Sequence, residues 1–430
     1  MSAPAVERAR PREHAGSRLL PPRGAPVTLA AHVERHGRLP ALRGESAALI
    51  AAVEASGLRG RGGAGFPTHR KLRAVAAGRD PVVVANGVEG EPPSHKDAAL
   101  LRSNPQLVLD GAVAAAAAVG AKQIVIAVGR GAASARASMQ AAIEERAQAG
   151  GRERFSLVDV PERFVAGEES ALVNWLNGGP AKPAFVPPRP FERGVGGRPT
   201  LVQNVETLAN LALIARSGPE WFRGLGSDDE PGSMLVTLGG AVGRPGIAEL
   251  DSRTTLRAAL ELCDGFGEPA QALLIGGYFG TWVPAASALD APLSDAGLRP
   301  LGASLGARSI AALPRTRCGV AETARIAAYL ATESAGQCGP CVFGLHAIAA
   351  ALASIAAGDR DAAQALERLR RLTPQVTGRG ACAHPNGATR LVESALTVFA
   401  DEIRHHLAGS CSAHSREPLM PIPQPGADWR

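Results

Sequence analysis

The chain has 430 residues, 45% of them apolar and 4% aromatic, and a formal net charge of +6. That length exceeds one ordinary core, so two or three domains are expected, and the apolar content suffices to bury them. The basic residues are scattered rather than striped and stacking platforms are scarce, which argues against nucleic acid as a partner. A direct membrane span is not expected, because no stretch reaches the roughly 18 uninterrupted apolar residues required: "AVAAAAAV" at 112–119 is fenced by glycines and "LHAIAAALASIAA" at 345–357 is too short.

Residues 1–44 alternate Arg, Pro and Ala without an apolar core segment, which argues against a secretory signal. They predict a disordered basic extension on a cytoplasmic protein. "ESAALIAAVEAS" (45–56) then has helical spacing and runs into the glycine-rich "GLRGRGGAGF" (57–66). "PVVVANG" (81–87) and "QIVIAVG" (123–129) are short β-branched runs closed by glycine, with an Ala-rich helical stretch at 104–119 between them. Helix 132–149, strand 155–161 and helices near 168–177 and 204–216 extend this pattern, which implies an α/β sandwich over 45–225 with a parallel-leaning sheet. Over 230–290 strands punctuated by Gly and Pro surround one helix, "TLRAALELC", a texture that predicts a small separate β+α domain. From 315 to 408 the pattern is helical, with segments at 320–333, 341–357, 360–372 and 387–407, and a four-helix bundle is the natural arrangement. The Pro-rich remainder, 409–430, reads as disordered.

Gly60, Gly62 and Gly65 satisfy G-x-G-x-x-G, yet a helix-like segment precedes them where a dinucleotide fingerprint needs a strand. The physics of the loop survives that objection. Glycines let a ligand approach the backbone, N–H groups converge on phosphate, and Arg59, Arg61 and Lys71 supply positive charge. A mobile surface loop would explain the glycines but not Phe66 and Lys71 just beyond them. Glu89 and Glu91 follow one predicted strand, and Glu168 and Glu169 follow "FVAG". Both pairs stand where open α/β sheets bind ligands, although each alone also reads as a solvated turn.

Six cysteines, at 263, 318, 338, 341, 382 and 411, are too few and too uneven for a disulfide framework, so metal ligation or burial is the better reading. Cys338 and Cys341 have C-x-x-C spacing at a helix junction, but Ala335 stands where a third thiolate would be expected. An alanine cannot ligate iron. Cys411 is an unpromising replacement, because a helix over 387–407 would carry it roughly 30 Å from Cys382.

The motifs "SGLRGRGGAGFPTHRKL", "NGVEGEPPSHKD", "GEESAL", "KPAFVPP", "QNVETLANL" and "ESAGQCGPC" lie in an order and at a spacing that resemble the NADH-binding flavoprotein (51 kDa-type) subunit of respiratory complex I and related diaphorase subunits. The similarity covers roughly residues 45–408. It implies an FMN- and NADH-binding α/β domain, a β-grasp soluble-ligand-binding domain and a helical iron–sulfur domain. By that resemblance Gly60, Arg61, Gly62, Gly63, Lys71, Asn86, Glu89, Gly167, Glu168, Val202, Asn204 and Thr207 would form the FMN site. Phe66, Glu91, Glu169, Lys182 and Phe185 would meet the nicotinamide nucleotide. Lysine occurs only at 71, 96, 122 and 182, and three of these fall on motif positions, as if an ammonium there were not exchangeable for a guanidinium.

Several positions depart from the family pattern: Val88 replaces Asp, Phe164 replaces Tyr and Gln203 replaces Asn. Weaker or altered cofactor binding is expected from the lost polar contacts. Cys338, Cys341 and Cys382 would be the iron ligands, holding a [3Fe–4S] cluster or a [4Fe–4S] cluster with one non-cysteine ligand. A cluster-free bundle is the alternative. His384 could assist, although an exposed helix-cap histidine is the plainer role. The resemblance implies an NADH dehydrogenase that passes a hydride to FMN and then single electrons to a [2Fe–2S] thioredoxin-like or ferredoxin-like carrier, with a non-catalytic docking paralogue as the rival.

Overall fold

A computed structural model describes residues 10–12, 17–21, 26–42, 44–415, 417–424 and 428–430. Its strands in chain order are β1 (Arg10–Arg12), β2 (Val82–Gly87), β3 (Gln123–Gly129), β4 (Phe155–Val160), β5 (Thr200–Asn204), β6 (Ser233–Gly240), β7 (Gly246–Asp251), β8 (Ala270–Ile275), β9 (Thr281–Pro284) and β10 (Ser309–Pro314). The runs "VVVANG" and "QIVIAVG" become the central strands of an all-parallel sheet ordered β4-β3-β2-β5. They are apolar almost throughout because both faces are covered. Val83, Ala85, Ile124 and Ile126 join the core formed with helices Pro105–Val119 and Val205–Arg223. Val82, Val84, Val125 and Ala127 pack on the other face against Leu172 and Val173. The two central helices meet at Gly111, where a Cβ would lie 1.9 Å from the Leu208 carbonyl oxygen. The sequence pattern gives no strand at 200–204; here β5 pairs with β2 and sets Asn86 and Asn204 side by side.

The second sheet, β1-β7-β6-β10-β8-β9, is mixed. β6–β7, β8–β9 and β8–β10 are antiparallel, and β6–β10 and β1–β7 are parallel. It runs past the expected end at residue 290, since β10 lies between β6 and β8.

The helical region comprises Gly319–Thr332, Pro340–Ala357, Ala362–Val376, His384–Val398 and Ala400–Leu407. The helix expected over 387–407 is broken at Phe399. Pro340–Ala357 opens with a wide turn at Pro340–Leu345 and reaches 18 residues, long and apolar enough to cross a membrane by composition alone. Its apolar face has another use here, because Ile348, Ala351, Leu352 and Ile355 are buried in the bundle core.

Both chain ends differ from the expected disorder. β1 lies on β7, the backbone N–H groups of Leu19 and Leu20 donate to Glu249, and His32 in helix Leu29–His36 bonds Asp110 at 2.7 Å. Residues 1–9, 13–16, 22–25 and 43 of that extension lie outside the described residues. At the other end, Glu322 accepts from the N–H groups of Leu419 and Met420, and Tyr278 donates to the Pro421 carbonyl. The Trp429 ring sits 4.0 Å from the Arg163 guanidinium carbon and 5.0 Å from Lys182 Nζ. Short apolar anchors and backbone hydrogen bonds order a segment whose composition alone reads as tail.

Candidate functional site

The glycine loop closes over the carboxyl ends of β2 and β5. Gly60 N–H donates to the Phe66 carbonyl at 2.9 Å, and Arg61 N–H donates to Thr207 Oγ1 at 2.8 Å. Gly63 and Gly65 have φ of 107° and 60°, which side chains disfavour. A Cβ on Gly62 would stand 3.3 Å from Asn204 Cβ, so the loop rests directly on β5. One cleft then brings together Arg61, Gly62, Asn86, Glu89, Glu91, Gly167 and Asn204. Beneath it, Lys71 Nζ donates to the Val202 carbonyl at 2.8 Å and pairs with Glu169 at 3.0 Å. Asn86 donates to the Gly167 carbonyl at 2.8 Å and accepts from Val88 N–H at 3.1 Å.

The other three predicted acids also have partners. Glu89 accepts from Ser94 and from the N–H groups of Asp97 and Ala98, at the start of helix Lys96–Ser103. Glu168 caps helix Glu169–Leu176 by accepting from Ser170 and Ala171 N–H, each at 3.0 Å. Glu91 accepts from Tyr278 N–H at 2.8 Å and from Phe279 N–H at 3.4 Å. Burial pushes its carboxyl up to about 7, against the opposing pull of those two N–H groups. Phe66 is exposed, and Phe185, also exposed, lines a separate groove with Ser170 and Val173. Lys182 stands beside the groove under Trp429.

Lys96 shows why an ammonium stands at its motif position. Its ammonium is buried between Asp97 at 2.6 Å and Glu206 at 3.0 Å, while Asn204 donates to Asp97 at 2.6 Å. Burial works to raise the Glu206 carboxyl, but Lys96, Arg308 and Arg61 outweigh it and hold the group below its ordinary value. Lysine at this position is therefore explained by a compact buried ion triad under the cleft.

Sequence reasoning missed Arg308, which enters from the second sheet with φ of 55° and donates to the Arg61 carbonyl at 2.8 Å. Arg61 and Arg308 are both buried, and the Nε of each has no partner among the described residues. Burial, then Arg308, brings Arg61 down to about 10. Two adjacent buried guanidinium groups with free donors fit a phosphate. The separation in sequence and the general arginine bias left no signal for this pair.

Cys338, Cys341 and Cys382 line one pocket with Ala335, Val165 and His384. The backbone turns tightly there, with Cys341 and Val342 N–H both donating to the Cys338 carbonyl. Burial pushes the Cys341 thiol up to about 12, followed by its neighbour Cys338, while the Ser334 hydroxyl opposes the rise. Cys382 is raised by burial as well, against a hydrogen bond from His384 N–H. The three thiols suit a sulfur-ligated iron centre, and Ala335 contributes no donor. His384 is not an exposed cap: it is 2% exposed, packs against Phe164 and Phe279, and bonds the Leu330 carbonyl through Nε2 at 2.7 Å. That bond makes Nε2 the protonated nitrogen and leaves a lone pair on Nδ1, which is buried without a partner among the described residues. Burial lowers this ring to about 4, so it is neutral at ordinary pH.

A single turn separates the two places. Phe164 lines a cleft with Glu89 and Glu91, Val165 lines the thiol pocket, and Gly167 lines the glycine-loop cleft. Phe164 and His384 rings are 5.6 Å apart. Glu333, two residues before Ala335, accepts from Arg163 Nε at 3.0 Å and Phe164 N–H at 2.8 Å, which clamps the bundle to this turn. Pro423 and Gln424 of the tail close the same cleft.

The arrangement defines a two-site class of protein: a ligand cleft at a parallel sheet edge, with a thiol site directly behind it. The family described as Nuo51 FMN-binding domain matches residues 53–213, and the NADH-ubiquinone oxidoreductase-F iron-sulfur binding region matches residues 321–406. The chain is 32% identical over 381 residues to the F subunit of NADH-quinone oxidoreductase from Streptomyces coelicolor, covering 84% of this chain and 83% of that one. It is also 32% identical over 374 residues to the F-2 subunit of the Rhizobium meliloti NADH-quinone oxidoreductase, covering 84% and 88%. Among solved structures, an NAD+-reducing [NiFe]-hydrogenase in the H2-reduced state is similar with a TM-score of 0.78 and 30% identity. That match covers 86% of this chain and 64% of the hydrogenase chain. The chain belongs to the family of NADH-quinone oxidoreductase F subunits.

Proposed function

We propose that this chain is an NADH dehydrogenase that takes up FMN and NADH in the sheet-edge cleft, carries an iron–sulfur cluster on Cys338, Cys341 and Cys382, and hands electrons to a partner carrier. Bound FMN supplies the hydride acceptor and the split from two electrons to one, and the cluster supplies a one-electron relay. The protein's part is to bind, orient and exclude water. Gly60, Gly62 and Gly63 let a phosphate approach the backbone, with Arg61 and Arg308 as its counter-charge. Asn86, Asn204, Thr207, Gly167 and the Val202 strand end hold the flavin edge, with Lys71, Glu89 and Glu168 fixing the frame around them. Glu91, Glu169, Phe66, Lys182 and Phe185 form the nicotinamide-nucleotide side. Phe66 and Phe185, both exposed, are free to stack on a flat ring.

The observation that carries this reading is the shared turn: one wall of the ligand cleft is also a wall of the thiol pocket. At the thiol site Ala335 leaves three cysteine ligands, and His384, whose buried Nδ1 has no partner among the described residues, lines the same pocket. Val342 and Phe343, immediately after Cys341, are exposed apolar side chains. They suit contact with a small [2Fe–2S] carrier of thioredoxin-like or ferredoxin-like fold, in the cytoplasm. Anaerobic purification with flavin, iron and sulfide counted together tests the proposal. Yellow flavin that bleaches on adding NADH, with an EPR signal from reduced iron, supports it. Folded protein that fails to take up FMN at micromolar concentrations overturns it.

A further inference from the structure

At the far end of helix Gly319–Thr332 lies a second group of donors that the redox reading does not use. Cys318, Glu402, His406 and Cys411 each present one ligand atom, and all four atoms lie within 4.8 Å of one another. Cys318 Sγ is 3.3 Å from His406 Nε2 and 3.9 Å from a Glu402 oxygen, and that oxygen is 3.1 Å from His406 Nε2. Donors about 2.0–2.3 Å from a common tetrahedral centre stand about 3.3–3.8 Å apart, so the separations among Cys318, Glu402 and His406 lie within a few tenths of an ångström of that range, and Cys411 is near enough to close the fourth position by a small shift.

Three elements build the group. Cys318 caps its helix, with Sγ accepting from Ala321 N–H at 3.4 Å, where the helix dipole favours negative charge. Glu402 and His406 are four apart on helix Ala400–Leu407 and so share one face. Gly409, with φ of 76°, turns the chain back to deliver Cys411. The returning segment is pinned on both sides: Ser412 N–H donates to Glu402 at 3.1 Å, and Ser415 N–H donates to the Thr316 carbonyl at 3.0 Å. His406 is 1% exposed and its Nδ1 has no partner among the described residues, so the ring's polar contacts are made at Nε2, which faces the group.

We propose that Cys318, Glu402, His406 and Cys411 bind one Zn2+ as a closed structural site. Two thiolates, an imidazole and a carboxylate complete four-coordination with no open position, and this mixed soft and borderline donor set suits zinc over calcium or magnesium. The ion staples the C-terminal segment to the base of the bundle, and that segment continues to Pro423 and Gln424 at the ligand cleft.

The test uses the full chain, with zinc and iron counted by elemental mass spectrometry. One zinc per chain is expected, with more than tenfold loss in Cys411→Ser and in Cys318→Ser and no change in Cys382→Ser. Cobalt(II) added to the zinc-stripped Cys382→Ser chain should give the thiolate charge-transfer and intense d–d bands of a tetrahedral site. Because wild-type zinc content and this cobalt spectrum are read without altering the four donors, a misfolded variant does not decide the matter. Wild-type protein with reduced thiols that holds no zinc, cobalt without those bands, or a Cys318–Cys411 disulfide in the freshly purified chain overturns the proposal, and each would leave only a hydrogen-bonded cluster.

Discussion

The two ends of helix Gly319–Thr332 carry cysteines of the same chemistry in different arrangements. Its 14 residues separate its two ends by about 21 Å at 1.5 Å per residue. At the Cys318 end, four donors crowd within 4.8 Å, as around one ion. At the other end, Cys338, Cys341 and Cys382 ring a pocket with Ala335 and His384, and no such tight grouping includes them among the described residues. The spacing of donors, more than their identity, distinguishes a site for a single cation from a site for a multi-atom cluster. The ends also differ in attachment: the cluster end is clamped to the turn beside the cleft by Glu333, and the Cys318 end to the second sheet through Gln271 and to its own C-terminal segment.

The sharpest way to break this comparison is Cys382→Ala. Iron should fall more than tenfold while zinc stays at one per chain, by elemental analysis; parallel loss of both metals would mean that the ends are not independent. Next in size is Glu333→Ala, which strips a buried carboxylate from Arg163 and from the Phe164 N–H. Breaking a buried pair costs about 3 kcal/mol or more. Denaturant unfolding should show that loss together with weakened iron retention and unchanged zinc. Ala335→Cys should then sharpen the contrast by completing a four-thiolate set: iron settles at four per chain, any EPR signal of an oxidised three-iron centre is lost, and zinc is unchanged. The smallest effect belongs to Glu91→Gln. Because the native carboxyl is raised from 4.5 to about 7, the folded state holds more protons than the unfolded state between those values. Wild-type stability should therefore fall as pH rises through that window, with the cost fully present above 7 and absent below 4.5. The variant should lose the slope, seen as denaturation midpoints against pH, with both metals unaffected.

Much of this was legible in the sequence where the signal was local. Glycine-closed β-branched runs marked β2 and β3, and C-x-x-C at a helix junction marked Cys338 and Cys341. The cleft could be anticipated from the glycine loop and the acids after the strands. What stayed hidden depends on contacts distant in the chain. Arg308 reaches Arg61 across 247 positions, and β5 has too little alternation to stand out until it pairs with β2. Cys318 and Cys411 carry no recognisable spacing, because a left-handed glycine and a broken helix bring them together. Lys96 was legible as unusual, but only its neighbours Asp97 and Glu206 reveal why.

The turn from Phe164 to Gly167 is one residue thick between two rooms. Phe164 and Ala335 border opposite faces of it, and His384 touches both sides. A change of side-chain volume on one face is therefore felt on the other. Substitutions at these two positions should be tested as a pair, since a side chain that refits one room alone meets a partition shaped by the other.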